Sequence, residues 1–206
     1  MTVQAQAHEH AHEEIAPRTR ARMNRLGLWL FLLSESFMFG GILVSRFYLW
    51  GATRPHLNQM LGIAVTVILL VSSFFANRAE VAIKHDDRKT FFTSILATIG
   101  LGILFLIGVV GLEWPSSPVK PSTPGEFSVY GDILFFMTGV HALHVLSGVI
   151  ILAIIYRLAR RGHFSSTNSW GVEAAVIYWH FVDVVWVFFF PALYLMGTAV
   201  GPAHGG

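Results

Sequence analysis

The run Thr-Phe-Phe-Thr-Ser-Ile-Leu-Ala-Thr-Ile-Gly-Leu-Gly-Ile-Leu-Phe-Leu-Ile-Gly-Val-Val-Gly-Leu, residues 90–112, decides the fold, because it contains no charged side chain at all. A helix of about 20 residues spans a hydrocarbon core of about 30 Å, so a run of this length and composition predicts a membrane crossing. Working outward, four further runs are long and predominantly apolar: residues 26–49, 57–77, 133–156 and 174–200. The run 133–156 has charge-bearing side chains only at His141 and His144, so it cannot be the exposed helix of a soluble protein. All five are continuously apolar instead of alternating in segments of about ten, which selects helices over a barrel. The expected fold is an all-α integral membrane bundle of five transmembrane helices.

Composition agrees. Hydrophobic residues make up 54% of the 206 and charged residues 13%, well below the charged share of globular domains. The absence of Cys excludes disulfides, thiolate metal sites and cysteine nucleophiles, so any redox site would need His or carboxylate ligands. A sequence pI near 9.2 does not point to nucleic acid, because the basic residues fall in short stretches between apolar runs. They read as topology signals. Placing the N-terminus in the cytoplasm puts Arg18, Arg20, Arg22, Arg25, Arg78, Lys84, Arg88, Lys89, Arg157, Arg160 and Arg161 on that side, against Arg46, Arg54 and Lys120 on the other. An N-terminus inside and a C-terminus outside follow.

The expected organisation is a polar cytoplasmic tail at 1–25, the membrane domain at 26–200 and a short periplasmic tail at 201–206. The tail is too long and too rich in His and Glu for a cleaved signal peptide. Its stretch from His8 to Glu14 could at most hold a transition metal weakly. Between the third and fourth runs, Pro115, Pro118, Pro121 and Pro124 predict an extended periplasmic segment.

An ionisable group inside a membrane helix costs about 2.5–3.5 kcal/mol on insertion scales, so each one needs a reason. Glu35 lies deep in the first run, where it must be protonated, paired or beside internal water. It is either a proton-handling or partner-facing carboxyl, or a neutral acid bonded to a neighbouring helix. His141 and His144 share one broad helix face, and His180 and Asp183 repeat that spacing. Either pair could ligate a metal, with Asp183 orienting His180; interhelical hydrogen bonding explains both more simply. Glu173 stands two turns before His180, in a first helical turn where the dipole already favours an anion, and Asp132 has the same explanation. The paired Glu-x-x-His pattern of di-iron bundles is absent.

The blocks Gly139-Val140-His141-Ala142-Leu143-His144-Val145 with Gly148, Glu173-Ala174, and Tyr178-Trp179-His180-Phe181-Val182-Asp183-Val184-Val185-Trp186 resemble the last two helices of subunit III of the haem–copper terminal oxidases. Ser34-Glu35, Asp87-Arg88-Lys89 and Glu113 fit further positions of that family, and the resemblance runs over roughly residues 24–197. The long form of the family has seven helices and a V-shaped lipid cleft; this sequence matches the five-helix bacterial form. The resemblance implies a subunit with no haem, copper or other metal of its own and no catalytic residue. It would dock on subunit I, beside subunit II and a small subunit IV, stabilising subunit I, binding phospholipid and supporting proton uptake. Glu35 then becomes a carboxyl near proton entry or lipid, and His141, His144, Glu173, His180 and Asp183 an interhelical polar set contacting lipid or partner. The competing expectations are an accessory subunit of a nitric oxide reductase, an independent His-based membrane metalloenzyme, and a transporter. The last lacks the paired broken helices and repeat that such folds carry.

Overall fold

The computed structural model describes residues 17–123 and 128–200, with side chains in the first helix from 22 onward. The stretch from His8 to Glu14 and the segment 201–206 lie outside the described residues. Five helices are long and apolar enough to cross a membrane, spanning Arg22–Trp50, Gln59–Lys84, Arg88–Ser116, Val129–Arg160 and Trp170–Leu195. In chain order the elements are α1 (Pro17–Trp50), β1 (Thr53–Pro55), α2 (Gln59–Lys84), α3 (Arg88–Leu106) with a π-helical continuation (Ile107–Glu113), a single turn α4 (Trp114–Ser116), α5 (Val129–Arg160), and α6 (Trp170–Phe190) with its own π-helical continuation (Pro191–Leu195), then β2 (Thr198–Val200). The chain divides into two units, Met1–Ser36 and Phe37–Gly206. The packing below belongs to the second.

The helices begin where their sequences can satisfy free amides. Asn58 caps α2 through Leu61 N, Asp87 caps α3 through Thr90 N, and Ser128 caps α5 through Gly131 N. Helix ends extend beyond the apolar runs: α2 continues to Lys84, well past residue 77. Apolarity marks the stretch suited to lipid, whereas helix propensity carries the helix on through Arg78, Ala79, Glu80 and Ala82. The turn from α2 to α3 passes through Asp86 in the left-handed region, φ 55°, a conformation that Asp tolerates better than most residues.

The fifth run is shorter than the sequence reading. The helix expected to reach residue 200 ends as regular α-helix at Phe190, because Pro191 brings no amide and its ring crowds the preceding turn. The chain loosens into the wider turn Pro191–Leu195, closed by Met196 N donating to Pro191 O, and Gly197 at φ 95° turns it into β2. β2 pairs in parallel with β1, Thr53 opposite Thr198, Arg54 opposite Ala199 and Pro55 opposite Val200. No strand was expected from the sequence.

The core of this unit is organised by two tryptophans of α6. Trp179 is fully buried, and an added Cβ at Gly102 of α3 would stand 2.6 Å from its ring, at Gly148 of α5 2.8 Å. The two missing side chains are thus the seat of the indole. Its N–H donates to Ser72 Oγ on α2 at 3.0 Å, and one turn pair further on Trp186 donates to Thr66 Oγ1 at 2.9 Å. Lipid offers no hydrophobic drive between helices, so small-residue seats and hydroxyl partners of this kind are what fix a membrane bundle.

Candidate functional site

Within the second unit, α2, α5 and α6 bring most of the candidate residues to two neighbouring levels of the core. On α2 the adjacent serines 72 and 73 serve adjacent residues of α6. Ser72 takes the indole of Trp179, and Ser73 Oγ stands 2.6 Å from His180 Nδ1. One helical turn on from His180, Asp183 is buried, and Ser73 is the hydroxyl its carboxyl approaches. Neither carboxyl oxygen completes a hydrogen bond of good geometry among the described residues. Glu80, two turns along α2 from Ser73, faces His180 and holds Lys84 Nζ at 2.5 Å. His180 therefore sits in a polar stripe that runs from Glu80 to Asp183 and is half open on the surface of the chain.

His141 is different. Its ring is fully buried and enclosed by aromatic groups: Trp186 at 4.9 Å, Phe105 at 5.7 Å, Phe189 at 6.2 Å and Phe39 at 6.5 Å between centroids. Among the described residues neither ring nitrogen has a hydrogen-bond partner. His144, three residues on, is half-buried; its Nδ1 lies 2.8 Å from Val140 O and its ring 4.8 Å from that of Phe39. Around it Ser147 Oγ meets Tyr178 Oη at 2.7 Å, tying α5 to α6. Glu173 is half-buried in the first turn of α6. Glu35 belongs to the unit Met1–Ser36, where it is half-buried between Ser34 and Ser36, whose hydroxyls donate back to Phe31 O and Leu32 O at 2.7 Å.

The structure also holds a second polar cluster, of which sequence reading singled out only Glu113 as a family position, at the end of the bundle where the α1–α2 connection meets the residues after α6. Arg46, counted above among the loop charges, lies inside α1 and is fully buried. It lies one turn from the helix end, within reach of three carbonyls: Gly51 O at 3.1 Å, Thr53 O at 3.4 Å and Met196 O at 2.7 Å. Its guanidinium also covers the rings of Phe47 and Trp50 at 4.8 and 5.1 Å. Beside it Gln59 Nε2 donates to Tyr194 O at 2.9 Å, and the Tyr194 hydroxyl donates to Glu113 Oε1. Glu113 and Tyr194 come from the two π-helical segments, a form of helix found disproportionately at functional sites. The available signals were Pro191 inside an apolar run and an arginine four residues before Trp50.

Among the described residues no group of three or more His, Cys, Asp or Glu is placed to hold a metal ion. Chemically, the first cluster offers hydrogen-bonding and proton-accepting groups within the membrane, and the second a clamp on backbone carbonyls.

Comparison with known proteins gives a consistent result. Residues 8–198 match the model of the family described as cytochrome c oxidase subunit III. Among individual proteins, the chain is similar to cytochrome c oxidase subunit 3 of Thermostichus vulcanus, 36% identical over 195 residues, 91% of this chain and 92% of that protein. It is similar to the protein of the same name from Synechocystis, 34% identical over 182 residues, 84% of this chain and 76% of that one. It also resembles that of Rhinoceros unicornis, 33% identical over 187 residues, 84% of this chain and 70% of the other.

Proposed function

The chain belongs to the cytochrome c oxidase subunit III family, and from that membership we propose that it acts as the non-catalytic third subunit of a proton-pumping haem–copper oxidase in aerobic respiration. It is a multi-pass membrane protein and a subunit of an oxidase complex. In our reading its partners are subunit I above all, then subunit II and a small subunit IV, and haem and copper reside in those partners. Its own work is to stabilise subunit I, to bind phospholipid and to support proton uptake from the cytoplasmic side. It sits in a bacterial cytoplasmic membrane with residues 1–25 inside and 201–206 outside.

The observation that carries this reading is the Ser73–His180–Asp183 stripe, half open on the α2/α6 surface. A polar stripe at membrane depth is costly against lipid and is naturally covered by a partner helix or held by a lipid headgroup reaching in. In this reading His180 and Asp183 fix the partner contact, with His144 and Glu173 as further contact positions, His141 as a packing group and Glu35 as the carboxyl near proton entry. The test is affinity purification of the tagged chain in mild detergent, with mass spectrometry and a visible spectrum of the eluate. A large haem-bearing subunit that keeps its haem when separated from this chain supports the proposal; a colourless complex with no such partner, or haem retained by this chain alone, overturns it. His180→Ala is expected to loosen the chain from the complex while the oxygen chemistry of complexes that retain it stays normal.

A further inference from the structure

Glu113 lines a pocket of about 300 Å³ between the residues leading into α2 and those following α4, together with His56, Asn58, Ser116, Ser117 and Pro118. We propose that Glu113 is a proton-binding site served through this pocket, with Tyr194 as its fixed hydrogen-bond donor. Three features of the geometry carry the assignment.

First, the two carboxyl oxygens are unlike. Oε1 accepts from the Tyr194 hydroxyl, while Oε2 is buried with no partner among the described residues. The side chain is 4% exposed, so Oε2 is kept from bulk water, and the residue lines a polar recess. Second, the position is built. The widened turn Ile107–Glu113 turns Glu113 inward while its neighbour Trp114 turns to α5, where its indole donates to Thr138 Oγ1 at 3.0 Å. The widened turn Pro191–Leu195 brings Tyr194 to meet it, and Gln59 fixes Tyr194 from α2. Third, no cation among the described residues is paired with the carboxyl. The titratable groups beside it are His56, which lines the same pocket from the residues before α2, and Tyr194 from the segment after α6. Lys120, the nearby ammonium after α4, is bound to Trp114 O at 2.9 Å and Pro115 O at 3.0 Å. A buried carboxyl with a single neutral donor and an adjoining polar recess is suited to gaining and losing a proton.

The step balances simply. A protonated water in the recess gives its proton to Oε2, the carboxylate becomes a carboxylic acid and neutral water remains; Tyr194 keeps its own proton and donates to Oε1 in both states.

The experiment is pH-dependent infrared difference spectroscopy on the assembled complex, in light and heavy water. The expected result is a carboxylic C=O band that disappears in Glu113→Gln and moves in frequency in Tyr194→Phe, where the donor to Oε1 is lost. Ser116→Leu, which fills the recess from an exposed position, is expected to keep the band and slow its deuterium exchange at least tenfold. Survival of the band in Glu113→Gln, an unmoved band in Tyr194→Phe, or unslowed exchange in Ser116→Leu overturns the proposal.

Discussion

Within the second unit, Arg46 on one side and His141 with Asp183 on the other are buried in different ways. Arg46 spends its terminal nitrogens on the carbonyls of Gly51, Thr53 and Met196, backbone groups that the ends of α1 and α6 leave unsatisfied. His141 and Asp183 are buried with polar atoms that have no hydrogen-bond partner among the described residues. Bonds from both terminal nitrogens to backbone of the same chain are what a structural clamp looks like, while Arg46 Nε is buried without a partner among the described residues. At the level of Asp183, Ser73 and His180 reach the surface of the chain, where they suit contacts made to something else. Difference in partner, more than residue type, separates the two.

That contrast predicts a ranking of effects. Arg46→Ala strands three carbonyls and is expected to cost about 3 kcal/mol or more, read as a lower thermal midpoint for loss of this chain from the purified complex. If Arg46→Ala proves milder than His180→Ala in the same assay, the distinction between clamp and contact fails. Next comes the seat of Trp179. Gly102→Ala places a methyl 2.6 Å from the ring, and overpacking of this kind costs about 1–3 kcal/mol. Trp179→Phe in the same chain should recover part of the loss, and strict additivity in that cycle would show that the seat is not shared. Trp179→Phe alone removes the donor to Ser72 and is expected to cost about 1 kcal/mol for that bond, with a comparable loss in Ser72→Ala.

The smallest effect lies outside the membrane. Asp86 accepts from Ser166 Oγ at 2.6 Å and Ser166 N at 3.0 Å, tying the α2–α3 turn to the loop before α6. These bonds, the side-chain one foremost, hold its carboxyl below the usual carboxylate value. The tie is therefore fully present above pH about 4, the unfolded-state value, and is lost as pH falls through the lower folded-state value. Amide exchange at Ser166, corrected for intrinsic rates, should show protection that drops in this acid window and is already absent in Asp86→Gly. Unchanged protection in that variant would remove the tie from the account.

How much of this was legible follows from the signals each feature leaves. The five spans could be read directly, since long apolar runs need no tertiary information. His180 and Asp183 stood out as ionisable groups in an apolar run, and the structure does place His180 against α2. Ser73 gave no such signal, because serine is common in membrane helices and only its position opposite His180 makes it a partner. Arg46 was misread because one turn from a helix end looks like a loop charge until the carbonyls folded over it are known. The end of α6 was misplaced by counting Pro191 as part of an apolar run when its missing amide should have stopped the helix. Tyr194 was invisible for the same reason: inside a regular helix it would not reach Glu113.

The clamp on Arg46 also imposes an order in time. Its carbonyls at Gly51 and Thr53 are made almost at once, but the one at Met196 lies 150 positions further along the chain. At about 5–20 residues per second of synthesis, the guanidinium waits roughly 8–30 s for its last ligand. During that interval a newly inserted α1 carries an incompletely satisfied charge near the membrane surface, held by water, headgroups or the insertion machinery. The pairing of β1 with β2 is equally late, for the same reason. Completion of this end of the molecule is thus a checkpoint at the close of synthesis: a ribosome that stalls inside α6 leaves behind a chain whose first membrane helix still advertises an unmet cation.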